Sequence, residues 1–218
     1  MARQIQVDVV TDIICPWCLV GGARLDRAIA ALPEDVEVTV RHHPFYLDPT
    51  LPEEGVVVAD MLRQRYGREP EEMWERVESA ARDSGVSLDL SKQPKAYPTR
   101  KGHTLVRLAG EKGTAHGLSN ALTEAYFLKH QQVHDSAVLA EIAAPFGFTR
   151  EEAIAAVESE RELAITLAQA EAMARQGIRG VPFYVFNGLF ALSGAQPEDV
   201  FAQAFAAALD PEKHGIKA

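Results

Sequence analysis

The sequence predicts an α/β fold that carries a large all-helical insertion. Three observations carry this expectation. A strand, helix, strand pattern occupies residues 5–40, a hairpin followed by a helix occupies 180–209, and the long stretch between them shows repeated helical periodicity with no convincing strand.

Each element has a local cause. Ile5, Val7 and Val9 alternate with Gln6, Asp8 and Val10, the period-two signature of a strand. From Pro16 to about Leu32, Leu25, Ala28, Ile29 and Leu32 recur at helical spacing, and Pro33 closes the segment. Val36, Val38 and Val40 alternate again, so a right-handed βαβ unit with parallel strands is expected. After Phe45 a proline-rich loop (44–52) leads into helical candidates at 57–66, 71–84, 99–111, 115–129, 136–144 and 149–158, the last opened by a Thr149/Glu152 capping box. Leu163, Leu167, Ala170 and Met173 continue on a longer helix ending at Gly177. A strand over 180–186 with Pro182 near its start, the hairpin signal Asn187-Gly188 and a strand over 189–192 follow. Ser193-Gly194-Ala195-Gln196-Pro197 is expected to cap a final helix through Val200, Phe201, Ala204, Phe205 and Leu209. This order is that of a thioredoxin-like fold. It divides the chain into a thioredoxin-like domain (1–48 and 162–218) and a helical insertion domain (49–161).

Composition narrows the function. At 218 residues and 47% hydrophobic, the chain suffices for one large domain or a domain with an insertion. A net charge of −9 without a basic cluster argues against nucleic acid and anionic membrane as partners. The tract Arg68-Glu69-Pro70-Glu71-Glu72 reads as a solvated helix start. The N-terminal residues enter the first strand with no apolar signal region, and no apolar run is long enough to span a membrane, so a cytoplasmic protein is expected. In that compartment a cysteine pair serves catalysis or redox sensing more often than structure.

Cys15-Pro16-Trp17-Cys18 contains the only two cysteines of the chain. Positions i and i+3 on a helical turn share a face at about 5–6 Å between Cβ atoms, within reach of a reversible disulfide. A helix starting at Cys15 sets its sulfur at the N-cap, near the unpaired amides and the positive end of the macrodipole. Pro16 fits the first helical position, and the amides of Trp17 and Cys18 are expected to face the sulfur. Cys15 is therefore expected to be an exposed thiol of lowered pKa that attacks, and Cys18 the resolving thiol. The competing readings are two buried small hydrophobes, or half of a zinc site. The second lacks further ligands: His42 and His43 alternate to opposite faces of a strand, and His130 and His134 have Gln131 where a metalloprotease helix would have Glu.

Cys15-Pro16-Trp17-Cys18, together with Gly180-Val181-Pro182-Phe183 and Leu192-Ser193-Gly194-Ala195-Gln196-Pro197, resembles the DsbA-like thioredoxin superfamily. More narrowly it resembles the FrnE-like branch of cytoplasmic thiol-disulfide oxidoreductases. The resemblance covers essentially the whole chain. It implies that Pro182 is the cis-proline facing the cysteines, that Val181 offers backbone groups to an extended substrate, and that Pro16 and Trp17 touch substrate. It implies no metal and no cofactor beyond the redox-active disulfide, glutathione being the one small-molecule candidate. The partners it implies are protein thiols and disulfides or glutathione. Where the branch often has Asn-Thr-x-x-Ala-His, this chain has Pro98-Thr99-Arg100-Lys101-Gly102-His103, so a capped, structural helix is expected there.

The expected chemistry is thiol-disulfide exchange. One alternative is a glutathione-dependent transferase of the kappa type or a 2-hydroxychromene-2-carboxylate isomerase. Those share the two-domain architecture but need one nucleophile, and they tend to use a Ser-Asp pair where this chain has Ala195-Gln196. A second alternative is a holdase that binds apolar segments between sheet and insertion.

Overall fold

The computed structural model describes residues 3–93 and 95–216, so the outermost residues of the expected terminal segments, 1–2 and 217–218, lie outside the described residues. A four-stranded sheet has the order β2-β1-β5-β6. β1 (Arg3–Thr11) pairs in parallel with β2 (Val36–Pro44) and antiparallel with β5 (Phe183–Phe186), which pairs antiparallel with β6 (Phe190–Ser193). The expected βαβ unit is present, with α1 (Pro16–Ala30) as its crossover.

Alternation in β1 places Ile5, Val7 and Val9 on a buried face. Leu25 and Ala28 of α1 and Phe201, Ala204 and Phe205 of the last helix, α9 (Glu198–Leu209), pack there with Tyr184 and Phe186 of β5. The β5–β6 turn is built by Asn187 (φ 51°) and Gly188 (φ 69°), both left-handed as a type I′ hairpin requires. Asn187 also accepts from the Gln6 amide at 2.8 Å and donates to the Ala208 carbonyl at 3.1 Å, tying the turn to β1 and α9.

Between the two halves run α2 (Val58–Tyr66), α3 (Pro70–Asp83), α4 (Arg100–Glu111), α5 (Ala115–Phe127), α6 (Ser136–Ala143) and α7 (Arg150–Glu158), followed by α8 (Glu160–Arg175). Their starts and stops follow chemistry. Pro70 opens α3, Asp135 caps α6 through the amides of Ala137 and Val138, and Gly67 ends α2 in the left-handed region. The Thr149/Glu152 capping box forms as expected. Leu105, Leu118, Leu122, Leu139 and Val157 make a second core, and Ile13, Leu19 and Val20 from the α/β part belong to it. Among the described residues no helix is long and apolar enough to cross a membrane.

Four local expectations are corrected. The insertion contains an antiparallel pair, β3 (Val56–Val57) with β4 (Lys95–Ala96), and two-residue strands are too short to leave an alternation in sequence. The strand expected from Gly180 starts only at Phe183, after Pro182, which has no amide to donate to a ladder. The 193–197 segment does not cap α9 by a side chain. Ser193 is still in β6, the N-cap is Pro197, and Glu198 and Asp199 face the helix dipole instead. The helix expected from Val57 starts at Val58, because Val57 is taken into β3, while His130 and His134 lie in the loop after α5, beyond the expected 115–129 helix.

Candidate active site

The turn between β1 and α1 is closed by its own backbone. The Cys15 amide donates to the Asp12 carbonyl at 3.1 Å, and the amides of Cys18 and Leu19 donate to the Cys15 carbonyl at 2.9 and 3.4 Å. Cys15 is the N-cap and Pro16 the first helical residue. The Cys18 amide is thus spent on the Cys15 carbonyl and does not face the sulfur, because the first turn closes tightly.

The Cys15 thiol donates to the Val181 carbonyl at 3.6 Å, and the Val181–Pro182 peptide is cis. This contact, together with the neighbouring chain, leaves Cys15 only 4% exposed. The exposure expected of it is therefore corrected: Cys15 reaches the outside through a cavity. That cavity, of about 620 Å³, is walled by Cys15, Pro16, Trp17 and Val181 on one side and by residues of α2 and α3 such as Met61, Leu62, Met73 and Trp74 on the other. Four of the six expected site residues share this wall. Cys18 faces a smaller cavity of about 80 Å³, and Pro182 packs against Gly21 of α1. Trp17 is half-buried, packed on the helical core, with the Arg76 guanidinium 5.7 Å from its ring centre.

Burial pushes the Cys18 thiol well above its usual range, and hydrogen bonding to Cys15 pushes it further. Cys18 is held as a neutral thiol.

Beneath the turn lies a polar cluster that the sequence reading missed. The carboxylate of Asp12, fully buried, accepts from Thr99 Oγ1 at 2.8 Å and His103 Nε2 at 3.3 Å through one oxygen, and from the Leu47 amide at 2.8 Å through the other. Thr99 therefore spends its hydroxyl on Asp12 and does not cap α4, contrary to expectation. Gly102 is needed here, since a Cβ would lie 2.5 Å from Ile13 Cδ1. The helix start at 98–103 is thus a support of the cysteine turn. The available signal was an acid inside the apolar run Val9 to Ile14, which demands buried partners.

A second missed cluster lines the smaller cavity. Asp26 holds His116 Nε2 at 2.6 Å and accepts from Asn120 at 2.8 Å, and His116 Nδ1 lies 2.9 Å from His42 Nε2. His43 turns the other way, to Asp8 at 2.8 Å, as strand alternation requires.

Comparison with known proteins bears on the family and the fold. The DSBA-like thioredoxin domain family matches residues 6–206. A solved structure of a probable DsbA oxidoreductase from Streptomyces coelicolor is 32% identical, with a TM-score of 0.82, over 94% of this chain and 89% of its own. A 2-hydroxychromene-2-carboxylate isomerase is 15% identical with a TM-score of 0.71, over 96% of this chain and 98% of its own. Cytosolic disulfide reductase DsbM from Pseudomonas aeruginosa, solved with GSH, is 19% identical with a TM-score of 0.65, over 92% of this chain and 98% of its own. The last two show the fold alone. With a sheet, a helical insertion and a family match that together span nearly the whole chain, this protein belongs to the DSBA-like thioredoxin domain family.

Proposed function

We propose that the protein is a thiol-disulfide oxidoreductase in which Cys15 exchanges with substrate and Cys18 resolves. One observation carries the reading: two thiols share a helical turn, one on the wall of a large cavity and the other enclosed behind it with its proton held. In the reducing direction the Cys15 thiolate attacks a sulfur of the substrate disulfide. A mixed disulfide forms and one substrate thiolate leaves. Cys18 then loses its proton and attacks the Cys15 sulfur, forming the Cys15–Cys18 disulfide and releasing the second thiolate.

Val181 fits this cycle. Its carbonyl accepts from the Cys15 thiol, and a thiolate has no proton to donate, so ionisation frees the carbonyl for an extended substrate backbone. Pro182 adds bulk beside α1 without a competing donor. We propose further that the chain belongs to the FrnE-like branch and acts in the cytoplasm; the cytosolic disulfide reductase DsbM, which shares its fold, is in keeping with this.

The test is insulin disulfide reduction with Cys15→Ser and Cys18→Ser. Loss of turnover in both supports the proposal, and a Cys15→Ser variant that works at the parental rate overturns it. The transferase or isomerase alternative needs only one nucleophile. Calorimetric titration with glutathione that shows stoichiometric binding, together with glutathione conjugation unchanged by Cys18→Ser, would favour it.

A further inference from the structure

The large cavity has a charge opposite to that of the protein. Four arginines line it, Arg65 and Arg68 near the end of α2, Arg76 of α3 and Arg179 just before Val181, against two carboxylates, Asp48 and Glu72. The chain as a whole carries −9. Of the eleven arginines elsewhere, Arg3, Arg27, Arg63, Arg82, Arg100, Arg107, Arg150 and Arg175 each hold an acidic side chain, and Arg24, Arg41 and Arg161 hold none among the described residues. Among the described residues, the four cavity arginines hold none. Arg65 donates to the Leu47 carbonyl at 3.4 Å, lies 5.9 Å from the Tyr66 ring centre and helps to lower the pKa of Asp48, and Arg76 lies over Trp17 beside Cys15.

A guanidinium is always charged and presents a planar fork that matches a carboxylate or phosphate. Arg68, Arg76 and Arg179, with no acidic partner among the described residues and gathered around one opening in an acidic protein, are a site prepared for an anion brought from outside. The volume, about 620 Å³, is that of a small-molecule site, typically about 300–1,000 Å³. Field lines from the arginines converge on the cavity that holds Cys15, so they act on whatever approaches that sulfur.

We propose that the substrate of this site is a low-molecular-weight disulfide bearing carboxylates, seated with its anionic ends on Arg68, Arg76 and Arg179 and its sulfur at Cys15. This rests on the thiol-disulfide reading above and names its substrate class. Each turn reduces one substrate disulfide to two thiols and oxidises the cysteine pair to a disulfide. The two electrons come from the pair, and its two protons pass through solvent to the released thiolates. Arg68, Arg76 and Arg179 take no part in the bond exchange; they are binding residues.

The test is single-turnover oxidation of the reduced protein by three probes: oxidised glutathione (anionic), hydroxyethyl disulfide (neutral) and cystamine (cationic). Each rate is divided by the rate of the same probe with dithiothreitol, which removes intrinsic reactivity. Electrostatic steering in a cleft is worth about 10- to 1,000-fold. We expect the normalised rate for oxidised glutathione to exceed that for hydroxyethyl disulfide by at least about tenfold, and cystamine to be slowest. Arg68→Gln with Arg179→Gln should cut the anionic advantage, the ratio of the normalised rate for oxidised glutathione to that for hydroxyethyl disulfide, by about three- to tenfold, while Lys at both positions should restore most of it. Raising the salt to about 1 M, where the Debye length falls to about 3 Å, should compress the three rates together. Equal normalised rates at low salt overturn the substrate assignment and leave the redox reading standing. Failure of all three probes to oxidise the pair overturns the redox reading itself, and this inference with it.

Discussion

Gly21 and Gly22 are neighbours on α1, one turn beyond the cysteines, and the structure gives them opposite responses to a methyl group. A Cβ on Gly21 would sit 2.3 Å from the Tyr184 hydroxyl oxygen, 3.0 Å from Pro182 Cγ and 3.4 Å from Ala195 Cβ, whereas one on Gly22 would meet only Asn120 Oδ1 at 3.5 Å. Tyr184 cannot easily yield. It is fully buried and stands edge-on to Phe201 with ring centres 4.9 Å apart. Overpacking of this kind costs about 1–3 kcal/mol. Each glycine also weakens the helix by about 1 kcal/mol relative to alanine, a gain both substitutions share. Gly22→Ala should therefore stabilise by up to about 1 kcal/mol, and Gly21→Ala should range from neutral to a loss of about 2 kcal/mol. The helix contribution cancels between the two variants, so their difference, about 1–3 kcal/mol, isolates the clash. Urea unfolding with unchanged m-value reads it directly, and in thermal unfolding it amounts to about 2–4 °C per kcal/mol. Because the displaced groups include Pro182, Gly21→Ala should also change the alkylation rate of Cys15, and Gly22→Ala should not. Equal stabilisation by both substitutions would refute the close approach of β5 to α1.

Four further outcomes are expected. Iodoacetamide at pH 7.5 should label Cys15 and spare Cys18, read by peptide mass spectrometry. Since the Cys18 thiol pKa is raised on folding, its contribution to stability is present below the unfolded value of about 8.5 and fades as pH rises beyond it, so Cys18→Ala should lose less stability between pH 8.5 and 9.5 than the parent. His42 is pushed well below the ordinary imidazole range by burial and by His116, so the unfolded chain takes up a proton that the fold refuses. Stability should fall as pH drops below about 6.5, at up to about 1.4 kcal/mol per pH unit from this one group, and His42→Gln should flatten the slope between pH 6.5 and 5. His134, shifted in the same direction but partly exposed, leaves a residual slope, and the depressed carboxylates act only at lower pH. Asp12→Ala strands two buried donors, Thr99 and His103, at about 1–3 kcal/mol each, and the half-buried Leu47 amide, so a loss of at least about 2 kcal/mol is expected in denaturant unfolding; a loss below about 1 kcal/mol would show that water replaces the carboxylate.

Elements that repeat a period or carry punctuation were legible in the sequence. β1 and β2 alternate, α3 starts at a proline, α7 carries its capping box, and Asn187-Gly188 fixes the hairpin. The cysteine turn was legible for the same reason: its residues are neighbours. What stayed hidden depends on residues far apart in the chain. The partners of Asp12 lie 35, 87 and 91 residues away, and the carbonyl that shields Cys15 lies 166 residues away. No local pattern encodes such distances, so the exposure of Cys15 was misjudged and Asp12 was passed over. The cavity arginines were equally invisible, since α2, α3 and the segment before β5 meet only in three dimensions.

The position of the cysteine turn follows from α1 serving two cores at once. Leu25 and Ala28 bury against the sheet, while Leu19 and Val20, with Ile13 just before the helix, bury among the insertion helices. Polar ties follow the same seam. Arg24 donates to the Ser84 hydroxyl at 2.8 Å at the end of α3 and to the Ala195 carbonyl at 2.8 Å before α9, and Asp26 holds His116 of α5. Under the proposed function substrate reaches Cys15 through the cavity whose far wall is α2 and the start of α3, while α1 is gripped on both sides. Among the described α-helices α2 alone includes no buried side chain, which makes it the helix least held by either core. Chemistry that needs fixed sulfurs and a wall that can give is thereby divided between a doubly packed helix and a loosely packed one. Mutations in the insertion core, at Leu122 for example, should then affect the redox pair through α1 and not through contact with substrate.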